Sequence, residues 1–239
     1  MNKLDKQKIK GILIDSGYVL IYPIGANNWF VSPKFFEYID LFPYKFKDLE
    51  KAIEKSHSIF SKHKFVINES EEIETFKEFY IETFKNLNLT IKSDISNKLA
   101  IDITKNPKKY AFYKDSLQII PELKKHFKIS LVSDAWPSMR LIYDYNNMTQ
   151  YFDSLVISSE LGVLKPHKLM YQTALDNLNL KPEECIFLDD NIDNCIGAKK
   201  LGITPILVSR NHKDYINNSK IYKDYINIEN LNQLKDLLL

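Results

Sequence analysis

The sequence predicts an α/β protein, a parallel sheet wrapped by helices and interrupted by a helical insert, and three observations carry that expectation. From about residue 112 onward, apolar runs rich in Val and Ile alternate with helical segments, the signature of βαβ units. One isolated strand pattern, Lys10–Ile14, has no helix directly behind it. Between them, residues 21–111 hold several helix starts and almost no strand signal.

The first strand is the apolar run Gly11-Ile12-Leu13-Ile14, which ends at Asp15. In the insert, Ser32-Pro33 reads as an N-cap with a first-turn proline, and Asn68-Glu69-Ser70-Glu71 has a capping-box form. Ile73, Phe76, Tyr80 and Phe84 then recur at helical spacing, and Ser93 caps a run through Ile95, Leu99 and Ile103. This aromatic stripe reads as the core of a small helical bundle. The later strands are Ile129–Ser133, Leu155–Ser158, Cys185–Asp189 and Pro205–Val208, and residues 229–239 form a closing helix. Asp214-Tyr215-Ile216-Asn217 recurs as Asp224-Tyr225-Ile226-Asn227, an echo too short for an architectural repeat.

Composition narrows the class. The 239 residues are 44% hydrophobic, enough for a substantial core. Lys+Arg number 33 against 31 Asp+Glu, interleaved along the chain, so neither a nucleic-acid footprint nor a membrane-binding face is expected. No apolar stretch approaches a membrane span and the start is too polar for a signal peptide, so the expected location is the cytoplasm. Cys185 and Cys195 fall in a predicted strand and a predicted helix and read as core thiols. No feature of the sequence sets the oligomeric state.

The acids carry the chemistry. Asp15 ends the first strand and Asp189-Asp190 ends the run Cys185-Ile186-Phe187-Leu188. In an open α/β sheet these ends lie side by side at the edge where ligands bind. Three carboxylates so placed repel, and a hard divalent cation with oxygen ligands, Mg²⁺, makes the cluster tolerable. Asp15 opens the turn Asp15-Ser16-Gly17-Tyr18-Val19-Leu20, whose backbone N–H groups can form an anion nest. An aspartate there either caps the turn or attacks phosphorus. Ser133, followed by Asp134, ends another strand, where it either serves a turn or holds a phosphoryl oxygen. Lys165, set between Gly162 and Pro166, is a point charge aimed by a stiff loop.

Taken in order, these pieces resemble the haloacid dehalogenase superfamily of hydrolases. The likeness rests on Asp15 with its turn, Ser133 at a strand end, Gly162-x-x-Lys165-Pro166 with Tyr171 beyond, and Phe187-Leu188-Asp189-Asp190-Asn191-x-x-Asn194-x-x-Gly197-Ala198-x-x-Leu201-Gly202. It spans the whole chain, and the order of the elements rejects a response regulator, which carries its acid pair on the first strand.

The resemblance implies a Rossmann-like catalytic core of residues 1–20 and 112–239, with a mobile, all-helical cap over 21–111. It implies a Mg²⁺-dependent phosphatase that acts on a small phosphorylated metabolite through an aspartyl-phosphate at Asp15. In that likeness Asp15, Ser133 and Lys165 are catalytic, and Ser16, Gly17, Ser133, Asp134 and Lys165 hold the phosphoryl group. Asp15, the Gly17 carbonyl, Asp189 and Asp190 bind the metal, and Asn194 supports them. Substrate identity is then expected in the cap, near Trp29 and the loop Ile24-Gly25-Ala26-Asn27-Asn28, although Trp29 reads equally well as a packing residue.

One departure stands out. Phosphatases of this family usually carry a second aspartate two residues after the nucleophile, and here that position is Gly17. Loss of such a general acid and base typically costs about 10² to 10⁴ in rate. Tyr18, His57 and His63 are candidate substitutes. Two other branches also lack that aspartate. Dehalogenases replace the acid pair and use a cap arginine, whereas this chain keeps Asp189-Asp190 and has only Arg140 and Arg210, both outside 21–111. A phosphonatase-like C–P hydrolase needs a cap lysine of lowered pKa, and none stands out among the many. The remaining alternative is a weakly active or non-catalytic protein that binds a phosphorylated ligand.

Overall fold

The run that ends at Asp15 is buried at every residue, as expected of a strand covered on both faces. The computed structural model describes residues 4–24, 27–39, 46–63, 65–90 and 93–239. In chain order they form β1 (Gly11–Ile14), β2 (Ile21–Pro23), α1 (Phe35–Tyr38), α2 (Phe46–Ser56), α3 (Ser58–Lys62), α4 (Glu69–Asn86), α5 (Ser93–Lys105), β3 (Tyr110–Phe112), α6 (Lys114–Leu123) and β4 (Lys128–Ser133). There follow α7 (Met139–Tyr145), β5 (Ser154–Ile157), α8 (Ser158–Leu161), α9 (Lys168–Leu178), β6 (Cys185–Asp189), α10 (Ile192–Lys200), β7 (Thr204–Val208), α11 (His212–Ile221), β8 (Ile226–Ile228) and α12 (Leu231–Leu238). No helix among the described residues is long and apolar enough to cross a membrane.

Six strands form one sheet in the order β5-β4-β1-β6-β7-β8, and every neighbouring pair is parallel. β1 lies between β4 and β6, with Ile14 opposite both Leu131 and Leu188. The strand order turns back at β1, the place where open α/β sheets leave a crevice at their carboxyl ends. At the opposite, amino end of β1, Gly11 permits close packing: a Cβ would lie 2.5 Å from Leu180 Cδ1 and 2.8 Å from Cys185 Sγ. Both cysteines are buried free thiols.

Contacts divide the chain into two compact units, one of Met1–Tyr22, Phe112–Ala135 and Asn146–Leu239, the other of Pro23–Ala111 and Trp136–Tyr145. The second unit is built from α1–α5 and α7. The boundary falls within β2 and β3, which pair as a two-stranded sheet, so the insert expected to be all-helical begins and ends in short strands.

The helical stripe of Phe76, Tyr80 and Phe84 lies in the core of the second unit with Phe35, Leu49, Phe79 and Leu99. Phe60 stacks on Phe30 and Phe79, each at 4.7 Å between centroids. Asn68 caps α4 by accepting the Glu71 N–H at 3.0 Å. Ahead of α1, which begins at Phe35, Ser32 Oγ accepts the Lys34 N–H at 3.1 Å as an N-cap would, and its hydroxyl donates to Asp102 at 2.6 Å. The cap expected of the Ser93 side chain, and Gly25 and Ala26 of the loop before Trp29, lie outside what is described.

Residues 136–145, expected with the core, fall in the second unit for a physical reason. Trp136 meets Phe76 and Phe60 edge-on at 4.8 and 5.0 Å, and the buried Glu72 carboxylate accepts both the backbone N–H of Ser138, at 3.0 Å, and its hydroxyl. Arg140 therefore belongs to the unit that contains the insert, which corrects its placement outside it. The echoed Asp-Tyr-Ile-Asn motifs differ in structure: the first lies in α11, and the second runs into β8.

Candidate active site

The carboxyl ends of β1, β4 and β6 bring the sequence-derived residues of the first unit to one sheet edge. Asp15 directly follows β1, Ser133 ends β4 and Asp189 ends β6. Carboxylate oxygens of Asp15, Asp189 and Asp190 lie within 4.8 Å of one another. Lys165 reaches into the cluster from the loop before α9, its Nζ 2.6 Å from Asp15 Oδ1 and 2.8 Å from Asp189 Oδ2.

The loop that carries Lys165 is fixed at three points. α8 ends on Gly162 at φ 69, a left-handed turn that glycine adopts without strain. Asp134 Oδ1 accepts the Lys165 backbone N–H at 2.9 Å. Pro166 packs against α10 at Gly197, where a Cβ would stand 2.6 Å from Pro166 Cβ. Asp134 was expected to offer its backbone to a phosphoryl group; its carboxylate positions the lysine loop as well. Tyr171, on α9, donates its hydroxyl to the Asn194 carbonyl at 2.9 Å and ties that loop's following helix to α10.

The two acids of the pair differ. Asp189 is fully buried, and Asn194 Nδ2 donates to both of its oxygens at 3.1 Å while the Asn191 N–H donates to Oδ1 at 2.8 Å. With Lys165 on Oδ2, this carboxylate is held from every side that is described. Asp190 is exposed and is the more accessible of the pair.

Ser133 is buried two residues beyond Leu131, the partner of Ile14, and so belongs to the same edge as Asp15. Ser16 is buried, and its carbonyl accepts the N–H groups of Val19, Leu20 and Ile21 at 3.4, 2.8 and 3.0 Å. The Tyr18 N–H donates to the Ile21 carbonyl at 2.8 Å. The anion nest expected of this turn therefore cannot use the N–H groups of residues 18–21, which the turn itself consumes.

Burial pushes the Asp15 carboxyl up to about 8, against the opposing charge of Lys165 and with the help of the Asp189 and Asp190 carboxylates. Burial and then Asp189 push Asp190 up to about 6. Lys165 moves the other way from a buried amine: burial opposes its charge, but Asp15 and Asp189 hold it above the usual lysine range. Fully ionised, the three carboxylates and one ammonium leave an excess of two negative charges in a largely buried cluster. An all-oxygen donor set with that excess fits a hard divalent cation such as Mg²⁺.

Sequence reasoning missed Arg210. Its Nε donates to the Val19 carbonyl at 3.1 Å, Nη2 donates to the same oxygen, and Nη1 donates to Asp115 at 2.6 Å. The guanidinium also lies 4.2 Å from the Tyr113 ring centroid, so Arg210 pins the turn that follows Asp15. Nothing in the sequence marks a residue that acts across the sheet edge on a backbone oxygen. The candidate substitutes for a missing acid are also resolved in part: His57 lies among Phe30, Phe60 and Phe79, where burial lowers its pKa, and His63 pairs with Glu78 at 3.1 Å, both in the second unit. Trp29 packs edge-on against Tyr110 at 4.8 Å and accepts its hydroxyl at its carbonyl.

Comparison with known proteins follows the same lines. Residues 47–208 match a family described as haloacid dehalogenase-like hydrolase. Over 90 residues the chain is 41% identical to bifunctional epoxide hydrolase 2 of Rattus norvegicus, covering 36% of this chain and 16% of that protein. Over 128 residues it is 29% identical to pyrophosphatase PpaX of Bacillus mycoides, covering 53% of this chain and 58% of that one. The chain thus spans less than two thirds of these curated relatives. Among solved structures, a HAD phosphatase from Thermococcus onnurineus superposes with a TM-score of 0.58 at 18% identity, and L-2-haloacid dehalogenase from Xanthobacter autotrophicus with 0.67 at 18% identity. Each likeness covers 96% of this chain and 98% of the other, and at that identity it speaks for the fold.

Proposed function

The chain belongs to the haloacid dehalogenase-like hydrolases, and from that premise we propose that it is a Mg²⁺-dependent phosphohydrolase acting on a small phosphorylated metabolite. The observation that carries the reading is the convergence of buried Asp15, Asp189 and Lys165 with the exposed Asp190 in one cluster at the carboxyl edge of the sheet. An Asp15 oxygen attacks phosphorus, the bond from phosphorus to the leaving oxygen breaks, and that oxygen departs as an anion that takes its proton from solvent. Water then attacks the phosphorus of the aspartyl-phosphate, releasing inorganic phosphate and restoring the Asp15 carboxylate. Lys165 and Ser133 hold phosphoryl oxygens, with Ser16, Gly17 and Asp134 contributing backbone groups, while Asn194 holds Asp189 in place.

Asp15, Asp190 and the Gly17 carbonyl would hold the metal, with Asp189 acting directly or through water. Bound there, Mg²⁺ supplies the positive charge that phosphoryl transfer needs on the transferring group.

Gly17 offers no carboxyl to protonate the leaving oxygen, so this site favours substrates whose leaving group departs readily. A C–P hydrolase would need an accessible lysine of lowered pKa in the second unit. Burial does push Lys109 down to about 8, but its ammonium is 2% exposed and donates to the Ile103 carbonyl and the Ser138 hydroxyl, each at 2.6 Å. That lysine is engaged in packing, which weighs against this alternative. The retained acid pair Asp189-Asp190 weighs against dehalogenation.

The test is phosphate release by the purified chain with and without Mg²⁺, from an activated aryl phosphate and a panel of sugar and nucleotide phosphates. Metal-dependent release supports the reading. Mg²⁺ binding with silence across the panel would favour a non-catalytic phospholigand-binding protein.

A further inference from the structure

Tyr18 occupies a backbone position that suits glycine. Its φ is 50, in the left-handed region, where a bulky side chain is an outlier. The turn enforces this conformation, with the Tyr18 N–H on the Ile21 carbonyl and three following N–H groups closing on the Ser16 carbonyl. Core packing does not explain the choice of residue. Asp15, Ser16, Val19 and Leu20 are buried, whereas Tyr18 is 38% exposed. Strain kept beside a nucleophile by a side chain that reaches solvent calls for a functional reason.

Two further tyrosines of the same unit complete a patch. Tyr22, 37% exposed, packs on Tyr113 with ring centroids 4.9 Å apart. The Tyr113 N–H donates to the Leu20 carbonyl at 3.0 Å, and Arg210, 4.2 Å from the Tyr113 ring centroid, donates to the Val19 carbonyl, so both tyrosines lie beside the turn that runs from Asp15 through Tyr18. Phenol rings beside the turn that follows Asp15 offer flat apolar faces with polar rims, suited to a ring rather than to a short acyclic chain.

Building on the phosphohydrolase reading, we propose that Tyr18, backed by Tyr22 and Tyr113, binds the organic part of the substrate, and that this part carries a ring whose face lies on the phenol. The substrate class is then a ring-bearing phosphate ester, aromatic or saturated.

The experiment is calorimetric titration of the full chain in Mg²⁺ with three non-hydrolysable probes, phenylphosphonate, cyclohexylphosphonate and methylphosphonate. The wild type should prefer a ring-bearing probe over methylphosphonate by about three- to tenfold, the range of a single aromatic contact. Which ring binds more tightly distinguishes an aromatic from a saturated leaving group. Tyr18→Phe should keep that preference, and Tyr18→Gly should abolish it while melting at a higher temperature than the wild type. Equal affinities in the wild type, a preference that survives Tyr18→Gly, no binding of any probe, or a lower melting temperature in Tyr18→Gly would overturn the inference. Turnover of an aryl phosphate by the wild type, measured alongside, separates the two claims. Mg²⁺-dependent turnover without ring preference defeats only this inference, and no turnover defeats the phosphohydrolase reading itself.

Discussion

Lys165 Nζ lies 2.6 Å from Asp15 Oδ1, although the two residues stand 150 positions apart in the chain. The contact joins the residue read as nucleophile to the cation read as phosphoryl-binding. It also means that one ammonium serves two buried carboxylates, since Asp189 Oδ2 is 2.8 Å away. The site is therefore short of positive charge, and that shortage governs its response to mutation, to pH and to metal.

Asp15→Asn removes the proposed nucleophile and one of the mutually repelling acids. Turnover should fall on the order of 10⁴ to 10⁶-fold, as when a covalent catalyst is deleted. The fold should survive, because the neutral amide replaces a carboxyl that burial already pushes up to about 8. Phosphate release by the variant, beside its circular dichroism, checks both halves. Retained turnover would remove Asp15 from the role of nucleophile.

The raised Asp15 and Asp190 carboxyls set the sign of two pH effects. Between the unfolded value of 3.8 and about 8, the folded chain holds a proton on Asp15 that the unfolded chain has lost. In the presence of a chelator, stability should therefore fall as pH rises through that window, and fall less steeply in Asp15→Asn. Protons compete with metal for the same oxygens, so Mg²⁺ affinity should rise from pH 6 to pH 8 with proton release on binding. Melting curves across pH, and calorimetry in buffers of different ionisation heat, measure the two. A Mg²⁺ affinity flat across that range would contradict the assignment of these acids to the metal.

Lys165→Met leaves the buried Asp15 and Asp189 without their cation. Breaking a buried charge cluster from one side typically costs about 3 to 5 kcal/mol, because the remaining charges stay buried and uncompensated. The melting temperature in chelator should drop accordingly, and Mg²⁺ should restore more stability to this variant than to the wild type. Equal gains with metal would show that Lys165 and the cation do not answer the same charge.

The sheet was largely legible because β1, β4, β6 and β7 are covered on both faces and so read as continuous apolar runs. β2, β3 and β8 were not, since each has three residues and a mixed burial pattern that leaves no periodic trace. Asp15, Asp189 and Asp190 were visible because they follow or end buried strands. The bond from the Lys165 N–H to the Asp134 carboxylate was not, because a single contact between loops marks neither spacing nor composition. The allegiance of residues 136–145 was hidden in the same way, since it depends on Glu72 and Phe76 from a distant helix.

Gly197 and Gly202 separate packing that serves the lysine from packing that serves only the fold. A Cβ on Gly197 would meet Pro166 Cβ at 2.6 Å and the Tyr171 hydroxyl at 3.2 Å, and a proline ring has little room to turn aside. Gly197→Ala should therefore cost about 1 to 3 kcal/mol in overpacking and displace Pro166, and with it the neighbouring Lys165. Gly202 sits at φ 92 with its nearest neighbour, Pro182 Cβ, at 3.5 Å, so Gly202→Ala carries backbone strain away from the lysine loop. Both variants should melt at lower temperatures than the wild type, yet only Gly197→Ala should lose turnover beyond what its unfolded fraction explains. If the two lose activity in proportion to stability alone, the contact between α10 and Pro166 does not aim Lys165.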